Sequence, residues 1–227
     1  MMSAIEMLNE SFGSVGREYG YDSVTAEFFE FKEFKIRWRR SCGWAEFDVS
    51  DYLSDAPREV MEGMAETIFS KISRKVRKNY PKPMLDWITS DDFLRKKQPL
   101  YLMRARNLRR SPAGDHVDLG AAYERLADMG LVDLDKDLRI TWTRHPNMKR
   151  VGYCSVLMKV VIMSSVLDSP DIPTLVSDYV LYHELLHINK GFDPFGQRHD
   201  FDFNMLERLY PMRDEAEAWL KKLGLSL

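Results

Sequence analysis

The pattern His183-Glu184-x-x-His187 is the part of this 227-residue chain whose residue types and spacing most clearly indicate chemistry. On an α-helix, residues four positions apart lie on one face, about 6 Å apart along the axis, so both imidazoles can reach one metal ion. Glu184 follows the first ligand without sharing its direction, which suits a general base acting on water at the metal. The pattern predicts a hydrolytic zinc site in which His183 and His187 bind zinc and Glu184 is catalytic.

A hydrolytic zinc site usually has a third protein ligand, and His199 is the best candidate. It lies twelve residues after His187, beyond a stretch with Gly and Pro (191–198) that can reverse the chain. Asp193 is the alternative third ligand. Two further carboxylates could orient imidazole N–H groups or remain solvated: Asp200 and Asp202.

Two other ways of completing a zinc site do not fit the residues after His187. The extended motif H-E-x-x-H-x-x-G-x-x-H requires Gly and His where this chain has Lys190 and Asp193. A glutamate ligand on a separate downstream helix is not apparent, because the acidic residues there have the pattern of surface positions. The remaining alternative is a helix with two ordinary histidines and a surface Glu184.

Residues 118–223, about half of the chain, resemble the SprT-like zinc metallopeptidases, the family that includes the Spartan proteases. The resemblance rests on His183-Glu184-x-x-His187 followed by His199 and, four residues later, Phe203, which matches H-E-x-x-H and H-x-x-x-F. Short segments around the motif also match: AAYERLADMG, ITWTR, VGYCSV, ERLYP and WLKKL.

This resemblance implies that His183, His187 and His199 bind zinc, that Glu184 is the catalytic base and that Phe203 packs behind the third ligand. SprT-like proteins often carry a C-terminal zinc ribbon or further DNA-binding elements, and this sequence contains no such cysteines. A role in cleaving proteins crosslinked to DNA therefore does not follow from the resemblance.

The elements that must position these residues can be predicted from helix and strand signals. The motif lies in a helix with Ser169 or Asp171 near its start, Pro173 in its first turn and Gly191 past its end. A helix from Asp118 to Gly130 precedes three strands, and two short helices follow the motif. The predicted strands are 139–144, 150–156 and 159–165, and the predicted later helices are about 199–210 and 213–223.

These elements predict an α+β fold with a zincin-like metallopeptidase domain at 111–227, in which a small β-sheet packs on the helix that bears the motif. Strand 159–165 is expected to present an edge to an extended substrate. Residues 1–110 are predicted to form a mixed α/β N-terminal region, with a turn at 111–114 marking the boundary. The sequence shows no internal repeat.

The N-terminal region has four predicted elements of its own. They are a helix within 1–20, a hairpin around the turn at 41–43, a helix from Pro57 to about Lys78, and a helix within 86–110.

The charge of the chain is unevenly distributed, although the formal net charge is only −2. Residues 71–110 contain 13 basic and 3 acidic side chains, a net charge of +10, whereas the segments before and after carry −7 and −5. This basic segment could contact the phosphates of DNA or another polyanion. It could equally pair with the acidic segments on either side.

The sequence predicts a cytoplasmic protein that does not contact a membrane. The two cysteines, Cys42 and Cys154, are isolated, which predicts neither a disulfide framework nor a zinc ribbon and fits a reducing compartment. The longest apolar stretch, around 160–167, is far shorter than the roughly 20 residues that span a bilayer. The N-terminus also lacks the basic and apolar regions of a leader peptide.

Together these features predict a zinc-dependent endopeptidase that hydrolyses protein or peptide substrates. The alternative is a non-catalytic nucleic-acid-binding or adaptor protein that retains a structural zinc site. The sequence does not identify the group that stabilises the oxyanion, for which Tyr153 and Tyr182 are candidates if they are not ordinary residues at the edge of the core.

Overall fold

The computed structural model describes residues 2–73, 79–193 and 199–226. They form an α+β structure, as predicted, with helices and two three-stranded sheets. The chain divides into two compact units, residues 1–97 and 98–227, and each is described by itself.

The first unit contains a three-stranded sheet, with one helix before it and further helices after it in the chain. The predicted helix after Pro57 ends at Ile72, and its expected end at Lys78 lies outside the described residues. The N-terminal elements are, in order, α1 (Ala4–Glu18), β1 (Ser23–Phe29), β2 (Ile36–Ser41), β3 (Trp44–Ser50), a 3₁₀ turn (Asp51–Leu53), α2 (Arg58–Ile72), α3 (Lys82–Ile88) and α4 (Asp91–Arg104).

The predicted hairpin is confirmed, and its two strands are β2 and β3. Its turn contains Gly43 at φ +78°, a backbone conformation that glycine adopts without strain. Alternate residues of β3, namely Ala45, Phe47 and Val49, are buried. One face of the sheet therefore packs on the core of this unit.

The second unit contains every helix and strand that the sequence predicts for 111–227. In order they are α5 (Leu119–Asp128), β4 (Arg139–Trp142), β5 (Gly152–Ser155), β6 (Val160–Met163), a 3₁₀ turn (Ser165–Leu167), α6 (Thr174–Lys190), α7 (Phe201–Glu207) and α8 (Arg213–Lys222). The expectation that 159–165 presents a free edge is wrong, because β6 lies between β4 and β5 and pairs with both.

Helix α6 is the central element of the second unit. Every residue from Val176 to Leu186 is buried, so this part of the helix has no solvent-exposed face. A helix of this kind must be enclosed by other elements, and here α5, β5, β6, α7 and α8 contact it. Gly191 follows the last turn at φ +78°, as predicted, whereas Pro173, expected in the first turn, is the N-cap residue.

The division between the units falls after Lys97, whereas the sequence predicts a boundary after residue 110. Residues 107–110 belong with the second unit because they pair with the end of β4. The N–H of Arg109 donates to the carbonyl of Trp142 at 2.8 Å, and the N–H of Arg110 donates to Thr141 Oγ1 at 2.9 Å. Among the described residues, no helix is long and apolar enough to cross a membrane.

The two units share one order of elements, a repeat that the sequence does not show. Each runs from a helix through three strands and a 3₁₀ turn into a second helix. In each sheet the third strand lies between a parallel first strand and an antiparallel second strand. The repeat is therefore one of topology.

Equivalent hydrogen bonds at the strand ends show which residues of the two sheets correspond. Ser50, at the end of β3, donates its N–H to the carbonyl of Lys35, just before β2, at 3.1 Å. Ser164, just after β6, donates its N–H to the carbonyl of Val151, just before β5, at 2.8 Å. Strands β2 and β5 therefore begin at corresponding positions.

The helices of the two units also begin and end alike. The N-cap residues of α2 and α6 are Pro57 and Pro173, and each carbonyl accepts the N–H of a residue three positions later at 3.0 Å. The chain leaves α1 and α5 through Gly20 (φ +84°) and Gly130 (φ +70°), as expected of glycine after a helix end. Positions in α2 and α6 can thus be compared by counting from the two prolines.

Candidate metal centre

The structure brings the three predicted histidine ligands together. A nitrogen of each of His183, His187 and His199 lies within 4.8 Å of the others, and the Nε2 atoms of His187 and His199 are 3.1 Å apart. Tetrahedral zinc with Zn–N bonds of about 2.0–2.1 Å needs ligand nitrogens about 3.3 Å apart. The three side chains could therefore hold a metal ion. This group, found among the described residues, does not include Asp193, the alternative third ligand.

Helix α6 and the start of α7 position the ligands. His183 and His187 lie one turn apart near the C-terminal end of α6. His199 is followed by Asp200, the N-cap of α7, whose carboxylate accepts the N–H of Phe203 at 3.0 Å. The same carboxylate pairs with the ammonium of Lys190 in the last turn of α6. Asp200 therefore ties the two helices together, whereas the sequence predicted that it orients an imidazole or remains solvated.

Phe203 packs against all three histidines. Its ring centroid lies 4.6 Å from that of His187, 4.8 Å from that of His199 and 5.1 Å from that of His183. Only 3% of the residue is exposed. The resemblance implied packing behind the third ligand alone, and the structure extends this contact to the whole set.

Glu207 is the site residue that the sequence analysis missed. Its Oε1 lies 2.6 Å from Nδ1 of His183, and both side chains are buried. With Nδ1–H donating to this carboxylate, the lone pair of the other ring nitrogen is available to a metal, the usual arrangement behind a histidine ligand. Glu207 is four residues after Phe203 in α7, so helical spacing from Phe203 was a signal that could have identified it.

Glu207 is held as a carboxylate by its surroundings. The hydrogen bond from His183 lowers the pKa of Glu207, burial acts in the opposite direction, and the net pKa lies below the ordinary value. Arg213 Nε lies 4.0 Å from Glu207 Oε2, and Arg213 Nη2 pairs with Glu217 at 2.7 Å. Glu217 in turn accepts the hydroxyl of Tyr179 at 3.0 Å. Helices α6, α7 and α8 thus contribute to one polar network behind the histidines.

Glu184, the predicted base, is buried on α6 with 5% of its surface exposed. Of the two tyrosines considered for the oxyanion, Tyr182 donates its hydroxyl to the carbonyl of Leu206 at 2.7 Å. The guanidinium of Arg150 lies 4.9 Å from the ring centroid of Tyr153. The hydroxyl of Tyr182 is therefore used within the core.

The basic segment 71–110 is partly neutralised within the structure. Lys97 pairs with Asp55 at 2.6 Å, and Arg109 pairs with Asp168 at 3.2 Å. Three more of its side chains pair with carboxylates of their own helices: Lys82, Arg95 and Lys96. Residues 74–78, which contribute four of its basic side chains, lie outside the described residues. The pairs of Lys97 and Arg109 join the segment to acidic residues on either side of it, and contact with DNA or another polyanion stays a prediction.

Comparisons of the chain with models of known protein families, with curated proteins and with solved structures find no match. Evidence on function therefore comes from the geometry of the histidine cluster and the groups around it.

Proposed function

We propose that this chain is a zinc-dependent metallopeptidase with a zincin-like domain, similar to the SprT-like family that its sequence resembles. The observation that carries the proposal is the convergence of His183, His187 and His199, with ligand nitrogens within 4.8 Å, beside a buried glutamate in the H-E-x-x-H pattern. This combination of three neutral nitrogen donors and a carboxylate outside the donor group is typical of catalytic zinc sites.

The residues present fit a zinc ion. Three histidines leave a coordination position for water or substrate, whereas structural zinc sites are usually closed by four protein ligands. The carboxylate of Glu207 behind His183 is the outer partner that catalytic zinc ligands commonly have. Zinc bound there would polarise a peptide carbonyl and make water more acidic.

Glu184 performs the proton transfers in this proposal. Its carboxylate accepts a proton from the water whose oxygen attacks the peptide carbonyl carbon, and it later delivers that proton to the nitrogen of the departing amine. One C–O bond forms, one C–N bond breaks, and Glu184 returns to its ionised state. Burial of Glu184 keeps bulk water from competing for this carboxylate.

The test compares the wild-type chain with Glu184→Gln on an unfolded, fluorescently labelled casein in the presence of zinc. General-base catalysis contributes about 10²–10⁴-fold, so hydrolysis is expected to fall by about that factor while the zinc content stays unchanged. Glu215→Gln, which changes an exposed glutamate on α8, is the matched control and should retain activity. If both proteins bind zinc and neither cleaves any unfolded or DNA-bound protein, the adaptor alternative with a structural zinc site replaces this proposal.

A further inference from the structure

We infer that Gly152 is a positioning residue for Glu184, because the absence of a side chain at this point of β5 makes the space in which the glutamate lies. This inference rests on the proposed role of Glu184 as the base. Gly152 itself neither binds metal nor touches substrate in the proposed mechanism; its role is to leave room for the Glu184 side chain.

The space around Gly152 is too small for any side chain. A Cβ atom at this position would lie 2.9 Å from Glu184 Oε1, 3.0 Å from Glu184 Cγ and 2.8 Å from Val180 Cγ1. Contacts this short force a displacement of the neighbouring atoms. Gly152, Val180 and Glu184 are all buried, and α6 is enclosed on every side, so the glutamate side chain is the group with the most freedom to move.

The backbone conformation does not explain the glycine. Gly152 is not among the glycines with positive φ, so an L-residue could adopt its backbone angles without strain. Glycine within a strand also lowers stability, because it loses more conformational entropy on folding and offers no side chain to pack. What remains to account for Gly152 is the close approach of α6 and of the glutamate side chain.

The first unit provides an independent comparison. The position that corresponds to Gly152, the first residue of the antiparallel strand, is occupied by Ile36 in β2. The position that corresponds to Glu184, eleven residues after the N-cap proline, is occupied by Ile68 in α2. The unit that lacks the carboxylate also lacks the glycine, and because α2 packs mainly on α1 and α3, this agreement is one of position along the chain.

The inference is tested with Gly152→Ala in the full chain. Misplacing a reacting group by about 1 Å can cost about 100-fold, so kcat is expected to fall by about that factor while KM and zinc affinity stay within about twofold. Ser155→Ala, in the same strand, is the control and should behave as wild type. Wild-type kcat in Gly152→Ala would overturn the inference.

Two further measurements separate this inference from the proposed function. A crystal structure of zinc-loaded Gly152→Ala should show the Glu184 carboxylate displaced while the three histidines keep their places, whether or not the wild type is a peptidase. An undisplaced carboxylate overturns the inference on its own, whereas an inactive wild type with a displaced carboxylate in the variant overturns only the proposed function. If Gly152→Ala does not fold, Gly152→Ala with Val180→Ala removes one of the two clashes, and the same readouts apply.

Discussion

The two units of this chain share the order of a helix, three strands and a second helix, yet among the described residues only the second brings together histidines that could bind a metal ion. Counted from the N-cap prolines, His183, Glu184 and His187 correspond to Thr67, Ile68 and Lys71. None of these three is a usual zinc ligand. The difference teaches that a shared order of elements does not by itself make a site, and that a few residues on the second helix decide whether one exists.

The cores of the two units also differ: aromatic rings pack at the centre of the first, whereas the second buries polar groups on and beside α6. In the first unit, the rings of Phe12 and Phe69 pack around Phe47, with centroids 5.0 and 5.1 Å from it. In the second unit, the corresponding end of α6 buries His183 and Glu184 and places Glu207 behind them. Aromatic packing can be satisfied by contact alone, whereas buried polar groups each need a partner. The second unit therefore depends on more specific neighbours than the first.

The largest expected difference concerns zinc affinity. His187→Ala removes a proposed ligand and should weaken zinc binding by more than the 10–100-fold that follows from losing an outer partner of a ligand. Lys71→Ala changes the corresponding residue of the first unit, whose ammonium lies 3.4 Å from the hydroxyl of Tyr80, and should leave zinc affinity unchanged. Competition with a chromophoric chelator measures both. Equal weakening by the two variants would contradict the assignment of the site to the second unit.

A smaller difference is expected in how acid affects the free energy of unfolding. The residue after the 3₁₀ turn is the buried Asp168 in the second unit and the exposed Ser54 in the first. The Asp168 side chain, 1% exposed, accepts the N–H groups of residues 115–117 and a hydrogen bond from Arg109. Burial alone raises the pKa of Asp168, but these hydrogen bonds and the charge of Arg109 outweigh it, so the pKa lies below 3.8.

The sign of the pH effect follows from that lowered pKa. The contribution of Asp168 to the free energy of unfolding is fully present above its unfolded-state pKa and is lost as the pH falls through the lower folded-state value. Asp168→Asn should cost about 1–3 kcal/mol at pH 7 and reduce the loss of stability below about pH 5. Urea unfolding at several pH values measures this, with Ser54→Asn as the control. Parallel pH profiles for wild type and Asp168→Asn would exclude this role.

The smallest expected effects on stability are those of replacing Gly20 or Gly130 by alanine. They should be alike in the two units, because both glycines follow corresponding helices and both have positive φ. No atom lies within 4 Å of a Cβ placed at either position, so replacement by alanine adds only backbone strain. Each variant should lose about 1–2 kcal/mol of the free energy of unfolding, measured by urea titration. Gly13→Ala, inside α1, should instead gain up to about 1 kcal/mol. A much larger loss of the free energy of unfolding for one variant than for the other would contradict the correspondence of the two helix ends.

The sequence predicted the elements of the second unit because their signals are local. Pro173 and Gly191 mark the ends of α6, and the spacing of His183 and His187 on one helix face needs no tertiary information. His199 could be proposed because a third ligand was needed and few histidines were available. Helical spacing from Phe203 could have suggested Glu207, but its contact with His183 depends on how α7 folds back onto α6, which spacing along the chain does not report.

Strand order was the least predictable feature of the fold. Segment 159–165 has the composition of a strand, but its place between β4 and β5 is set by hydrogen bonds to both neighbours. The repeated topology escaped sequence analysis for the same reason, since corresponding positions such as Gly152 and Ile36 differ in residue type while their backbone pairing agrees. The division after Lys97 likewise depends on tertiary contacts, of which the pairing of 107–110 with the end of β4 is one.

Helix α7 has only seven residues, fewer than two full turns, and a helix this short does not persist by itself in water. It exists because it is docked, yet it supplies both Phe203 and Glu207 to the histidines. Docking of α7 and preorganisation of the ligands should therefore be a single cooperative event. Loosening this helix would remove the aromatic support and the partner of His183 together, so the centre should be lost as a unit before α6 itself begins to unfold.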